Sequence, residues 1–111
     1  MSGEVKFGTA RAASLAGLYI LAQKTANYCS AHQIYSEIRA YFPSLSEGWI
    51  SRACMNLYGT QLVEIDPEKH EWPDAAKEFR ISFEGIETFE RWMSDAIADS
   101  VQDYLSLLKQ G

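Results

Sequence analysis

Cys29, His32, Cys54 and His70 are the side chains whose types could hold a metal, and Cys29-x-x-His32 has the spacing of one ligand pair. A structural zinc site normally shows two tight pairs, and only one is present. Both cysteines fall in stretches that read as helical, so they are expected as buried, reduced thiols with no metal bound. His70, beside Glu68, Glu71 and Asp74, is the nearest approach to a catalytic constellation, but it sits among turn formers where charge is solvated. No Gly-rich phosphate loop, nucleophile elbow or His-carboxylate pair at helical spacing is present, so neither an enzyme nor a cofactor is expected. What remains is recognition chemistry. Ser46, Trp49, Ser51, Arg52 and Asn56 fall together: Ser and Asn can contact phosphates or base edges, and Arg can read guanine.

Those residues need a helix to present them. Pro43-Ser44 breaks the preceding segment, Ser46 is a good N-cap, and Glu47 follows in the first turn. Trp49, Ile50, Ala53, Cys54 and Leu57 have the spacing of one buried stripe, so a helix is expected over about 46–58. Tyr58-Gly59-Thr60-Gln61 reads as its stop, with Gly59 supplying the left-handed turn. Before it, Thr9 is expected to cap a helix to about Lys24, whose wide apolar face suits the centre of a small core. Residues 1–8 carry no periodic signal and read as a loose arm. Asn27-Tyr28 turns the chain, and Ser30 opens a second helix to about Tyr41. After the central helix, Leu62–Ile65 and Glu78–Ser82 alternate or run β-rich and are expected to pair as an antiparallel hairpin, the wing, over about 62–82. Trp72, near its tip, either folds back on the strands or offers an exposed contact. Helix, helix, helix, hairpin is the order of a winged helix-turn-helix.

At 111 residues the chain is one domain with a modest core. Its formal net charge of −5 is the wrong sign for a nucleic-acid binder unless the charge is segregated. It is. Residues 1–58 hold Lys6, Arg11, Lys24, Arg39 and Arg52 against Glu4, Glu37 and Glu47, whereas residues 83–111 hold six acids against Arg91 and Lys109. The uncharged run Ala12–Ala22 is far short of the ~20 apolar residues that span a bilayer. It also lacks a small-x-small cleavage site, so no membrane partner and a cytoplasmic location are expected.

From Glu84 to about Leu108 one long helix is expected, forming a dimerisation unit (83–111) apart from the winged head (1–82) within one structural body. Ile86, Phe89, Trp92, Met93, Ile97, Val101, Tyr104, Leu105 and Leu108 mix spacings of three and four, as helix-on-helix packing requires. Burying each large side chain is worth roughly 1.5–3 kcal/mol. A body this small could not cover the whole stripe, which points to a two-fold homodimer. The fold class expected is therefore mainly α with a small β-hairpin, a winged helix-turn-helix plus a long C-terminal dimerisation helix.

Over about residues 9–108 the chain resembles the PadR-like winged-helix transcription regulators, in particular short members with a single C-terminal helix. The residues that carry the resemblance are Asn27-Tyr28, Leu45-x-Glu47-x-x-Ile50 through Leu57 and Leu62-Val63, Phe79-Arg80-Ile81-Ser82-x-x-Gly85, and Phe89-Glu90-Arg91-Trp92. The resemblance implies a homodimer that binds an operator in double-stranded DNA as a repressor, and release by a small aromatic ligand at Trp92 and Phe89. It also implies that Lys69, Lys77 and Arg80 of the wing join the helix residues in contacting DNA. The family's glycine between the third helix and its strand is Gln61 here, and its usual Tyr is Ser51. The dimer contact would run through Ile86, Phe89, Met93, Ile97, Val101, Tyr104, Leu105 and Leu108. A second reading stays open: a winged-helix module that binds a protein partner through its acidic wing and Trp72, and not DNA. For Trp92, ordinary packing in a dimer core stays open beside ligand binding.

Overall fold

A computed structural model describes residues 5–111, and the first four residues of the expected N-terminal arm lie outside them. The described residues form five α-helices packed with a small sheet. The helices are α1 (Phe7–Ala22), α2 (Ala31–Ile38), α3 (Glu47–Gly59), α4 (Phe83–Asp95) and α5 (Val101–Gln110). The strands are β1 (Cys29–Ser30), β2 (Val63–Ile65) and β3 (Glu78–Ile81), all antiparallel in the order β1-β3-β2.

α1 is the hub. It packs against α2, α3, α4, α5 and β3, which its small residues allow: Ala10, Ala13 and Ala16 are fully buried with Leu15. At Gly17 a Cβ would come within 2.9 Å of Ile34 Cγ2, so the missing side chain sets how closely α2 approaches. The helix begins at Phe7 with Lys6 at the N-cap, three residues before the expected cap Thr9, and no side chain caps it. Phe7 rests on the Trp49 ring at 5.5 Å, which anchors the extra turn.

Ser30 caps α2 as expected, in a reciprocal box with Gln33. The helix closes at Ile38 rather than Tyr41, and the following turn buries Phe42 and Leu45. Cys29 is not helical. It lies in β1, opposite Phe79, a strand too short to leave a pattern in the sequence.

The β2–β3 hairpin forms in the register Val63↔Ile81, Glu64↔Arg80, Ile65↔Phe79, so alternate residues face the core. Between α3 and β2 the left-handed residue is Gln61 (φ 69°), not Gly59, which is the last residue of the helix. Leu62 N–H reaches Leu57 O and Gln61 N–H reaches Tyr58 O, the pair of bonds that closes a Schellman motif. At the base of the hairpin Ser82 Oγ accepts from Gly85 N and donates to Gln61 O. A Cβ on Gly85 would lie 2.1 Å from Leu62 O, so no other residue fits between α4 and the sheet.

The single long C-terminal helix is corrected by the structure. α4 ends at Asp95, and Ile97 turns left-handed (φ 55°) inside a second Schellman motif, Ala98 N to Met93 O and Ile97 N to Ser94 O. Ser100 then caps α5 by accepting from Asp103 N. α5 folds back onto α1 and the inner side of α4. Burial inside one chain is the physical reason. Val101, Tyr104 and Leu105 find their cover on α1 and Phe89, and no second copy is needed to shield them. Among the described residues no helix is long and apolar enough to cross a membrane.

Candidate nucleic-acid interface

Of the residues expected to contact DNA, Ser46, Trp49, Arg52 and Asn56 lie on the exposed side of α3. Ser46 is spent on the helix itself, its Oγ accepting from Trp49 N at 3.1 Å. Trp49 is 39% exposed and leans on Phe7. Arg52 is exposed and enters none of the ion pairs formed among the described residues. Phe7, Trp49, Arg52, Met55 and Asn56 line one open concavity of about 530 Å³.

Ser51 is corrected. It is 3% exposed, turned into the core beside Ile50 and Cys54, and its hydroxyl finds no partner there. It cannot reach a groove while α3 stays packed.

The wing bases are likewise placed elsewhere than expected. Lys77 is buried, its ammonium donating to the Trp72 carbonyl and to Asp74 Oδ1 at 3.2 Å. Lys69 pairs with Glu78 at 2.9 Å and lies over the Trp72 ring. Arg80 makes four bonds: Nε and Nη2 donate to Glu64, Nη1 to Ala26 O and Nη2 to Tyr28 OH, with the guanidinium 4.2 Å above the Tyr28 ring. These three cations hold the hairpin together and tie it to the turn before β1. Around them Glu68, Glu71, Trp72 and Asp74 stay exposed.

Two further bases come to the α3 face instead. Arg11 Nη1 donates to Asn56 Oδ1 at 3.0 Å, across 45 residues of sequence, while its buried Nε has no acceptor. Lys6 lines a cavity of about 430 Å³ together with Ser46 and Trp49. The face therefore carries Lys6, Arg11 and Arg52. Glu47 opens the same helix, its Oε2 2.7 Å from His32 Nδ1.

Of the two residues expected to bind a ligand, Phe89 is fully buried between the tilted ring of Tyr19 and the edge-on ring of Tyr104, and open to none. Trp92 is half-buried and lines a cleft between the start of α1 and the α4–α5 hairpin. The expected dimer stripe is dispersed in the same way. Phe89, Val101, Tyr104 and Leu105 are interior, Ile86, Met93 and Leu108 are half-buried, and only Ile97 stands out at 88% exposed.

Cys29 and Cys54 are free and buried, and burial raises the pKa of both thiols, that of Cys54 most. Among the described residues no three His, Cys, Asp or Glu side chains gather into a group that could hold a metal ion. Comparison with protein-family models, with curated proteins and with solved structures finds no match to the chain.

Proposed function

We propose that the chain is a winged helix-turn-helix module that binds duplex DNA as a transcriptional regulator, a repressor, with α3 as its reading helix. The element order α1-β1-α2-α3-β2-β3 supports the fold, as does the resemblance to PadR-like regulators. The observation that carries the reading is the α3 face. Arg52 stands unpaired between Trp49 and Asn56, with Lys6 and Arg11 flanking it, in a chain otherwise dominated by acid. In this reading Arg52 reads a base, worth roughly 1–3 kcal/mol of discrimination, and Lys6 and Arg11 take phosphates.

Three bases per chain are few, since tight operator binders neutralise roughly 6–10 phosphates. Two copies on one operator double the number. What the α4–α5 hairpin leaves exposed to join them is Phe83, Ile97 and Leu107, not an unbroken helix. Selection of random duplexes on the purified protein tests the reading: an enriched motif is expected, relaxed at one position by Arg52→Ala. Equal recovery of all sequences with both proteins would refute it.

A second reading is favoured by the wing. Its bases are tied down and its surface shows Trp72, Glu68, Glu71 and Asp74. That surface suits a basic protein partner, and a chain of this kind would pass through immobilised heparin at low salt.

A further inference from the structure

At the base of the β2–β3 hairpin, on the side of the end of α3, lies an open groove of about 520 Å³. Tyr58 of α3, Glu64 of β2 and Glu84 of α4 line it, and no basic residue does. Phe83 stands between two of its lining residues, Ser82 and Glu84, and is 83% exposed. Tyr58 is exposed as well. Carboxylates beside aromatic rings suit a guanidinium, which pairs with the first and lies over the second. The chain holds an arginine of its own in this way. Arg80 lies over Tyr28 and gives Nε and Nη2 to Glu64, both to Oε1, so it takes nothing from Oε2. Glu84 is exposed and enters none of the ion pairs formed among the described residues.

We propose that this groove receives an arginine side chain of a protein partner, carried on a short exposed segment. The guanidinium pairs with Glu84 and Glu64 and lies against the rings of Phe83 and Tyr58. Arg80 already shares Glu64, so Glu84 is the main anchor. The positive end of α4 opposes a cation there with roughly half a charge. Glu84 and Glu87, both exposed near that end, exceed it. Ile97 lies past the other end of α4, roughly 20 Å along the helix from Phe83 at 1.5 Å per residue. A partner at the groove therefore leaves Ile97 and Leu107 free. Neither DNA nor the Trp72 surface at the hairpin tip takes part, so the contact stands apart from both readings given above.

An acidic chain attracts any cationic peptide, so the signature is a preference for arginine over lysine of equal charge. An ammonium has neither the plane nor the fork of a guanidinium. Two acetylated hexapeptides, alternating glycine with arginine or glycine with lysine, are titrated into the full chain at physiological salt and followed by calorimetry. The arginine peptide should bind roughly fivefold tighter, the worth of one exposed cation–π contact. Phe83→Ala and Glu84→Gln should each erase that preference. Both side chains are exposed, so neither change threatens the fold. Glu71→Gln removes the same charge from the far end of the hairpin and should leave the preference intact. Equal affinity for the two peptides, binding of neither, or a preference that survives Phe83→Ala or Glu84→Gln would overturn the proposal. So would its loss in Glu71→Gln, which would move the contact to the wing tip.

Discussion

The ring of Tyr104 meets the ring of Phe89 edge-on, 5.1 Å between centroids, and this contact closes the last helix onto the one before it. Phe89 is fully buried and Tyr104 nearly so. Truncating Tyr104 to Ala removes an aromatic pair and leaves a cavity beside α1, which should destabilise the fold by about 3–5 kcal/mol. Urea unfolding of the variant measures this. A loss below about 1 kcal/mol would mean that α5 does not dock where it is placed.

Gly85 leaves less room for a side chain than any other described glycine, and Gly85→Ala should be among the most destabilising single substitutions. A methyl group 2.1 Å from the Leu62 carbonyl cannot be relieved by a side-chain rotation, because the obstacle is backbone. Displacing α4 from the sheet should cost more than about 2 kcal/mol. The midpoint of chemical unfolding reads this directly, and an unchanged midpoint would contradict the packing described.

Ile97 presents the opposite case. A β-branched residue in the left-handed region is strained by roughly 1–2 kcal/mol. Its side chain is 88% exposed and gains little from burial to offset that. Ile97→Gly should therefore raise stability by about 1 kcal/mol. If two copies on an operator meet through this residue, the same substitution should weaken the doubly bound complex. The two effects of opposite sign are separable by unfolding the free chain and by titrating DNA.

These positions also show what could be read in the sequence and what could not. Ser30 and Ser46 were legible as helix caps, and the alternation Val63, Ile65, Phe79, Ile81 as the inner face of a hairpin, because capping and strand period are local signals. The break at Ile97 was not, because Ile97 prolonged the three-and-four spacing of the stripe. Ser100-x-x-Asp103 was the cap signal beneath it. Gln61 stands where the resembled family has glycine, and the left-handed turn falls on it. The loss of Arg80 from the DNA-contacting set could not be foreseen. Its partners Ala26 and Tyr28 lie more than 50 residues away, and only the fold brings them together. The same holds for Arg11 and Asn56.

Ser51 makes a sharp distinction between burial and contact. Its hydroxyl is enclosed without a hydrogen-bond partner, so Ser51→Ala should be neutral or stabilise the fold by up to about 1 kcal/mol. Its effect on DNA affinity should be nil. A tenfold loss of affinity in that variant would place Ser51 on the surface of α3 and contradict the helix orientation.

The account turns on Lys6, Arg11 and Arg52 as the cations that meet DNA. Each phosphate neutralised contributes about −0.9 to the slope of log K against log salt. The measurement that bears on this most directly is the salt dependence of binding to a duplex. The slope should be about −2 per bound chain, falling to about −1 with Lys6→Ala and staying unchanged with Lys69→Ala in the wing. No retention on duplex at low salt, or a slope that responds to Lys69 and not to Lys6, would contradict it.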